Sequence, residues 1–172
     1  MKASRGFTLV ELLIVIVVIA ILAAITIVAY GNVTARAQRT KMSADLAQLS
    51  QAIQVARNNT GKALKDITGT VYTAGDCTSQ PAGTDLAVLD KTNSCWVAYT
   101  NALQKISNAS GMNVTNMVDP WGRPYFIDEN EGEAGGCGVD VIAAYTQPFN
   151  ASNLYSAESI NIPLSGYSGC AT

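Results

Sequence analysis

The sequence predicts an α+β protein in which one long N-terminal helix packs on a small antiparallel-sheet head. Three observations predict it. An unbroken apolar run occupies Leu12 to Tyr30, with Thr26 its one polar side chain before Tyr30. Beyond that run, Met42, Leu46, Leu49, Ile53 and Ala56 recur at helical spacing. The remaining chain then turns to short β-branched and aromatic runs separated by glycine and proline.

The chain divides at residues 1–6, 7–30, 31–59 and 60–172. Residues 1–6 are a short basic leader carrying Lys2 and Arg5 and ending at Gly6. Residues 7–30 form an apolar helical segment of bilayer-spanning length, at ~1.5 Å per residue. Its one charge is Glu11. A lone carboxylate in hydrocarbon costs about 2.5–3.5 kcal/mol on insertion scales, so Glu11 needs a partner. A secretory signal cut near Ala24, or a plain single-pass anchor, leaves that charge unexplained.

Residues 31–59 continue the same helix in amphipathic form. Arg39, Lys41, Asp45, Gln48, Gln51, Gln54 and Arg57 fill the polar faces. Gly31–Asn32 marks a bend where membrane gives way to water, and Gly61 marks the C-terminal stop. Arg36, Arg39 and Lys41 are read as a solvated juxtamembrane face in preference to a contact with headgroups or DNA.

Residues 60–172 make the head. Residues 60–95 read as an irregular loop with short strands, anchored by Val71–Tyr72 and Leu86–Leu89. Trp96, Tyr99, Leu103 and Ile106 place a short helix over Ser94–Ser107. Asp119-Pro120-Trp121-Gly122-Arg123-Pro124-Tyr125 reads as a tight turn with Trp121 as its packing core. Tyr125–Ile127, Val139–Tyr145 and Ile160–Leu164 are the strand candidates. The stretch from Asp128 to Gly138 is an acidic, glycine-rich connector.

Composition removes several functions. The 172 residues carry a net charge of −2 and no histidine, which argues against nucleic-acid binding by the whole chain, His-dependent catalysis and most zinc sites. Cys77, Cys95, Cys137 and Cys170 suggest two disulfides, hence an exported head. Three pairings exist; Cys77–Cys95 with Cys137–Cys170 is preferred because each closes a glycine- and polar-rich stretch. Five N-x-S/T triplets begin at Asn32, Asn58, Asn108, Asn113 and Asn150, and none is read as a site.

Two segments carry a family likeness. The motif K-x-x-R-G-F-T-L-V-E-L-L at the N-terminus resembles the processing site of type IV prepilins and of type II secretion pseudopilins. The D-P-W-G-R-P-Y stretch at 119–125 looks like the D-P-W-G-x-P-Y turn of major pseudopilins and related bacterial pilins. The resemblance implies cleavage between Gly6 and Phe7 by a prepilin peptidase, N-methylation at Phe7, and an assembly role for Glu11 against the terminal amine of a neighbouring subunit. It implies a structural subunit, not an enzyme, stored in membrane lipid as a single-pass protein with its head outside the cytoplasm. Its further implied partners are copies of itself in a helical filament, minor pilins or pseudopilins, an assembly platform membrane protein and its cytoplasmic ATPase. A minor pilin with an adhesive or DNA-uptake role is the alternative, followed by an anchored exported binding domain or enzyme.

The sequence also departs from the family. Many members have proline at the position of Val28 and glycine at that of Ala20, so local helix melting is less expected here. Major pseudopilins often bind calcium in an acidic loop after the turn. Asp128, Glu129, Glu131 and Glu133 supply carboxylates there, but a solvated acidic loop is the preferred reading, and no metal or other cofactor is expected.

Overall fold

A computed structural model of the chain describes residues 8–133, 136–146, 149 and 155–164. It contains α1 (Leu9–Thr60), α2 (Leu64–Thr68), α3 (Gly75–Thr78), α4 (Ser94–Ser110), β1 (Tyr125–Asp128), β2 (Asp140–Tyr145) and β3 (Tyr155–Ile162). The expected α+β architecture is present. Two compact units divide the chain, residues 1–40 and residues 41–172. The head unit therefore begins inside α1, because Met42, Leu46, Leu49 and Ile53 are core residues.

Of the first unit, the described part is helix, with Leu9, Val10, Ile14, Ile21 and Ile25 all more than half exposed. The helix runs on through Gly31 and Asn32, so the expected bend does not interrupt it. A lone helical glycine weakens the helix by about 1 kcal/mol relative to alanine, too little to end one this long.

The second unit is built around a three-stranded antiparallel sheet in the order β1-β2-β3. Side chains alternate across a strand, and here both faces are covered. Tyr125, Ile127, Ile142 and Ala144 join α1 and α4 in one core, with Trp96, Tyr99, Leu103 and Ile106 supplied by α4. Phe126, Ala143 and Tyr145 face a second cluster with Leu86, Phe149 and the Cys77–Cys95 disulfide. Phe126 and Tyr145 meet edge to face with centroids 5.6 Å apart, and Tyr145 meets Phe149 at 5.9 Å. Cys137 is also disulfide-bonded, while its expected partner Cys170 lies outside the described residues.

Several boundaries differ from expectation. Residues 60–95 contain two short helices in place of short strands. α2 buries Leu64 and ends on Gly69 in the left-handed conformation (φ 77°), while the disulfide ties α3 to α4. α4 outlasts Ser107 by three residues, up to Ser110, because Gly111 (φ 74°) caps it. β3 runs from Tyr155 and ends before Pro163, which has no N–H to continue a ladder.

Arg57 departs furthest from expectation. The polar face assigned to it is interior: Arg57 is 4% exposed. Its guanidinium donates to Asp140 at the start of β2, lies 3.2 Å from Glu131, and donates to the Pro163 carbonyl at 2.6 Å. Breaking a buried ion pair from one side leaves uncompensated charge and costs about 3–5 kcal/mol. Arg57→Met is expected to destabilise the head by that amount, as a lower denaturant midpoint for the detergent-solubilised chain.

Candidate functional site

At the start of α1, Glu11 finds a partner within its own helix. The Thr8 N–H donates to Glu11 Oε2 at 2.9 Å and the Thr8 hydroxyl donates to the same oxygen at 2.8 Å. In return, the Glu11 N–H donates to Thr8 Oγ1 at 3.3 Å. This is a capping box, in which two orphan donors of the first turn are satisfied reciprocally. The T-x-x-E spacing was readable at Thr8–Glu11, and it names a residue that the apolar pattern alone missed. Gly6 and Phe7, the expected cleavage residues, lie outside the described residues. From Leu12 to Ile25 every side chain of the helix is apolar, and among the described residues α1 alone is long and apolar enough to cross a membrane.

The turn at 119–125 is organised by Asp119. Its Oδ1 accepts the N–H groups of Trp121 and Arg123, both at 2.9 Å, and its Oδ2 accepts Arg123 Nε at 2.6 Å. The Gly122 N–H closes on the Asp119 carbonyl at 2.9 Å, with Gly122 in the left-handed region at φ 83°. Pro120 has no N–H to place inside this arrangement, and Pro124 leads into Tyr125, the first residue of β1. The expected role of Trp121 is corrected. It is 47% exposed, whereas Asp119 and Arg123 are buried at 2% each. The ion pair fills the turn from within, so the indole lies outside it, 4.8 Å from the Arg123 guanidinium. The Tyr125 hydroxyl donates to Asp45 Oδ2 at 2.7 Å and so ties the strand after the turn to α1.

The acidic connector is not a solvated loop. Glu129, Glu131 and Asp140 are fully buried. Glu129 accepts the Thr73 N–H at 2.8 Å and the Thr73 hydroxyl. Asp140 accepts the Glu131 N–H at 2.8 Å as well as Arg57. These bonds spend the carboxylate oxygens on protein donors. Among the described residues, no group of three or more acidic or cysteine side chains is placed to hold a metal ion.

The first 27 residues match the family model for the prokaryotic N-terminal methylation motif. The chain is 48% identical over 56 residues to a fimbrial protein of Pseudomonas aeruginosa, covering 33% of this chain and 36% of the relative. It is 46% identical over 56 residues to a type IV major alpha-pilin of Moraxella bovis, covering 33% and 35%. Over its N-terminal third to half, the chain is similar to type IV pilins. A longer match, 38% identity over 85 residues, joins this chain to a type IV major fimbrial protein FimA of Dichelobacter nodosus, covering 48% and 53%. The matched part of this chain thus spans about a third to a half of those relatives' own length. No solved structure matches it.

Burial pushes the Glu129 carboxyl up to about 7 from an ordinary 4.5, against the lowering effect of its threonine donors. Burial also raises Asp140, opposed by the Glu131 N–H and Arg57, and raises Asp128. A carboxyl with a raised folded-state pKa binds more protons folded than unfolded between the two values. Stability from Glu129 is therefore full below pH 4.5 and is lost as pH rises to about 7. The loss is on the order of 3 kcal/mol. Denaturant midpoints are expected to fall between pH 5 and pH 8, and Glu129→Gln is expected to flatten that slope, leaving the contributions of Asp140 and Asp128.

Proposed function

We propose that this protein is a type IV pilin, a structural subunit which polymerises into a type IV pilus-like filament after prepilin-type processing between Gly6 and Phe7. The observation that carries this reading is the first half of α1, apolar on every side and uncovered by its own chain, with Glu11 as its only charge. Such a helix requires either lipid or other apolar helices around it. In this reading, lipid serves before assembly and copies of the same helix serve within the filament. Glu11 meets the methylated terminal amine of Phe7 on a neighbouring subunit and sets the register. Helical stacking of identical subunits is a heterologous contact that does not close on itself.

The disulfide between Cys77 and Cys95 supports a head held outside the cytoplasm, because such bonds persist in oxidising compartments. The chain does no chemistry of its own and takes no cofactor. Cleavage falls to a prepilin peptidase, and the work of assembly falls to a platform membrane protein and its cytoplasmic ATPase, with minor pilins as further partners. A secretion pseudopilus subunit is the second reading, favoured by the D-P-W-G-R-P-Y turn. The fimbrial names of the relatives favour the pilus.

Mass spectrometry of material sheared from cells is expected to find a chain beginning at methylated Phe7. Gly6→Ala is expected to leave the leader uncut. Glu11→Ala is expected to give processed subunit in the membrane and sharply less filament, with the Cys77–Cys95 bond intact as a check on head folding. Normal processing and normal filament yield in both variants would overturn the reading.

A further inference from the structure

Between Glu11 and Asp45, every charged side chain of α1 is basic: Arg36, Arg39 and Lys41. Lys41 belongs to the head unit, where it donates to the Val118 carbonyl at 2.7 Å and pairs with Asp45. Arg36 and Arg39 are exposed, and their guanidinium groups make no hydrogen bond or ion pair among the described residues. Three residues apart, they share one side of the helix.

Their height along α1 gives this pair a use. The uncharged run ends at Tyr30, which is 73% exposed. Tyrosine at that position suits the boundary between hydrocarbon and headgroups. Arg36 lies six residues beyond Tyr30 and Arg39 nine, about 9 Å and 14 Å at the standard rise. The headgroup layer outside the hydrocarbon is itself about 5–8 Å deep. Helical side chains also lean toward the helix N-terminus, which here means back toward the bilayer. Two long guanidinium side chains therefore lean toward the phosphate level from just outside it. No acidic side chain on this stretch repels an anion there.

We propose that Arg36 and Arg39 form a binding site for anionic phospholipid headgroups at the end of the membrane segment, fixing the depth at which α1 leaves the bilayer. The inference rests on the membrane-spanning reading of α1 and not on filament assembly. The planar guanidinium fork matches phosphate oxygens, and the charge complementarity selects a headgroup with net negative charge over a zwitterionic one.

The test uses the full chain in vesicles containing equal amounts of phosphatidylglycerol and phosphatidylcholine. After mild detergent extraction, the lipid retained on the protein is measured by mass spectrometry. The wild-type chain is expected to retain phosphatidylglycerol about fivefold or more over phosphatidylcholine, the preference that one such cation supplies near an anionic surface. Arg36→Gln/Arg39→Gln is expected to abolish the preference while the chain still co-fractionates with vesicles. Equal retention of the two lipids by the wild type, or an undiminished preference in the double variant, would overturn the inference and leave the spanning reading standing. A wild-type chain that never enters the vesicles would overturn both.

Discussion

The Arg57 guanidinium reaches from the last turns of α1 to Asp140 at the start of β2, to Glu131 before it, and to the Pro163 carbonyl after β3. Three stretches far apart in the chain are thereby held to one buried charge. Carboxylates buried as completely as Glu131 and Asp140 are tolerated only where a cation and hydrogen-bond donors compensate their lost hydration. The placement of the sheet against the head portion of α1 thus depends on Arg57. The apolar core that Leu49, Ile53, Ile142 and Ile162 share supplies bulk attraction, but apolar burial carries little directional information. A charge with two specific acceptors and a second carboxylate beside it sets the register.

Glu129 stands beside this arrangement under different terms. Glu129 is compensated by neutral donors, chiefly the N–H and hydroxyl of Thr73. Those bonds tie the segment before α3 to the end of β1, where the Ala74 N–H also meets the Ile127 carbonyl at 3.0 Å. The disulfide then passes the constraint to α4. A head with a modest core is thus supported by polar and covalent ties around its sheet, in line with the marginal burial available to small domains.

In α1, one helical sequence serves two environments. From Leu9 to Tyr30 the apolar residues surround the helix, which suits lipid or neighbouring helices. From Met42 onward they occupy one side and become the head's core. The capping box of Thr8 and Glu11 closes the helix at the apolar end and keeps the sole carboxylate hydrogen-bonded in an isolated chain. Assembly through Glu11 would then add to, or exchange with, a bond already made.

Much of this was legible in the linear chain. Composition alone marks Leu12–Tyr30, and the period of Met42, Leu46, Leu49 and Ile53 marks the buried side of α1, because both are repeated local signals. Trp96, Tyr99, Leu103 and Ile106 placed α4 for the same reason. Arg57 continues the Leu49–Ile53 row at a spacing of four, so the period held a hint of its burial, but charge argued the other way. Its acceptors lie some 75 to 105 residues later in the chain (Glu131, Asp140 and Pro163), and local sequence does not encode such a meeting. Trp121 failed as a core residue for a related reason: whether an indole or an ion pair fills a turn depends on which backbone N–H groups the Asp119 carboxylate captures. The chain by itself determined the helix, its all-round and then one-sided apolar character, the N-terminal methylation motif and the cysteines of the head. Folding decided which charges are buried, because the cost of dehydrating a carboxylate is met only by donors that tertiary contact brings within reach.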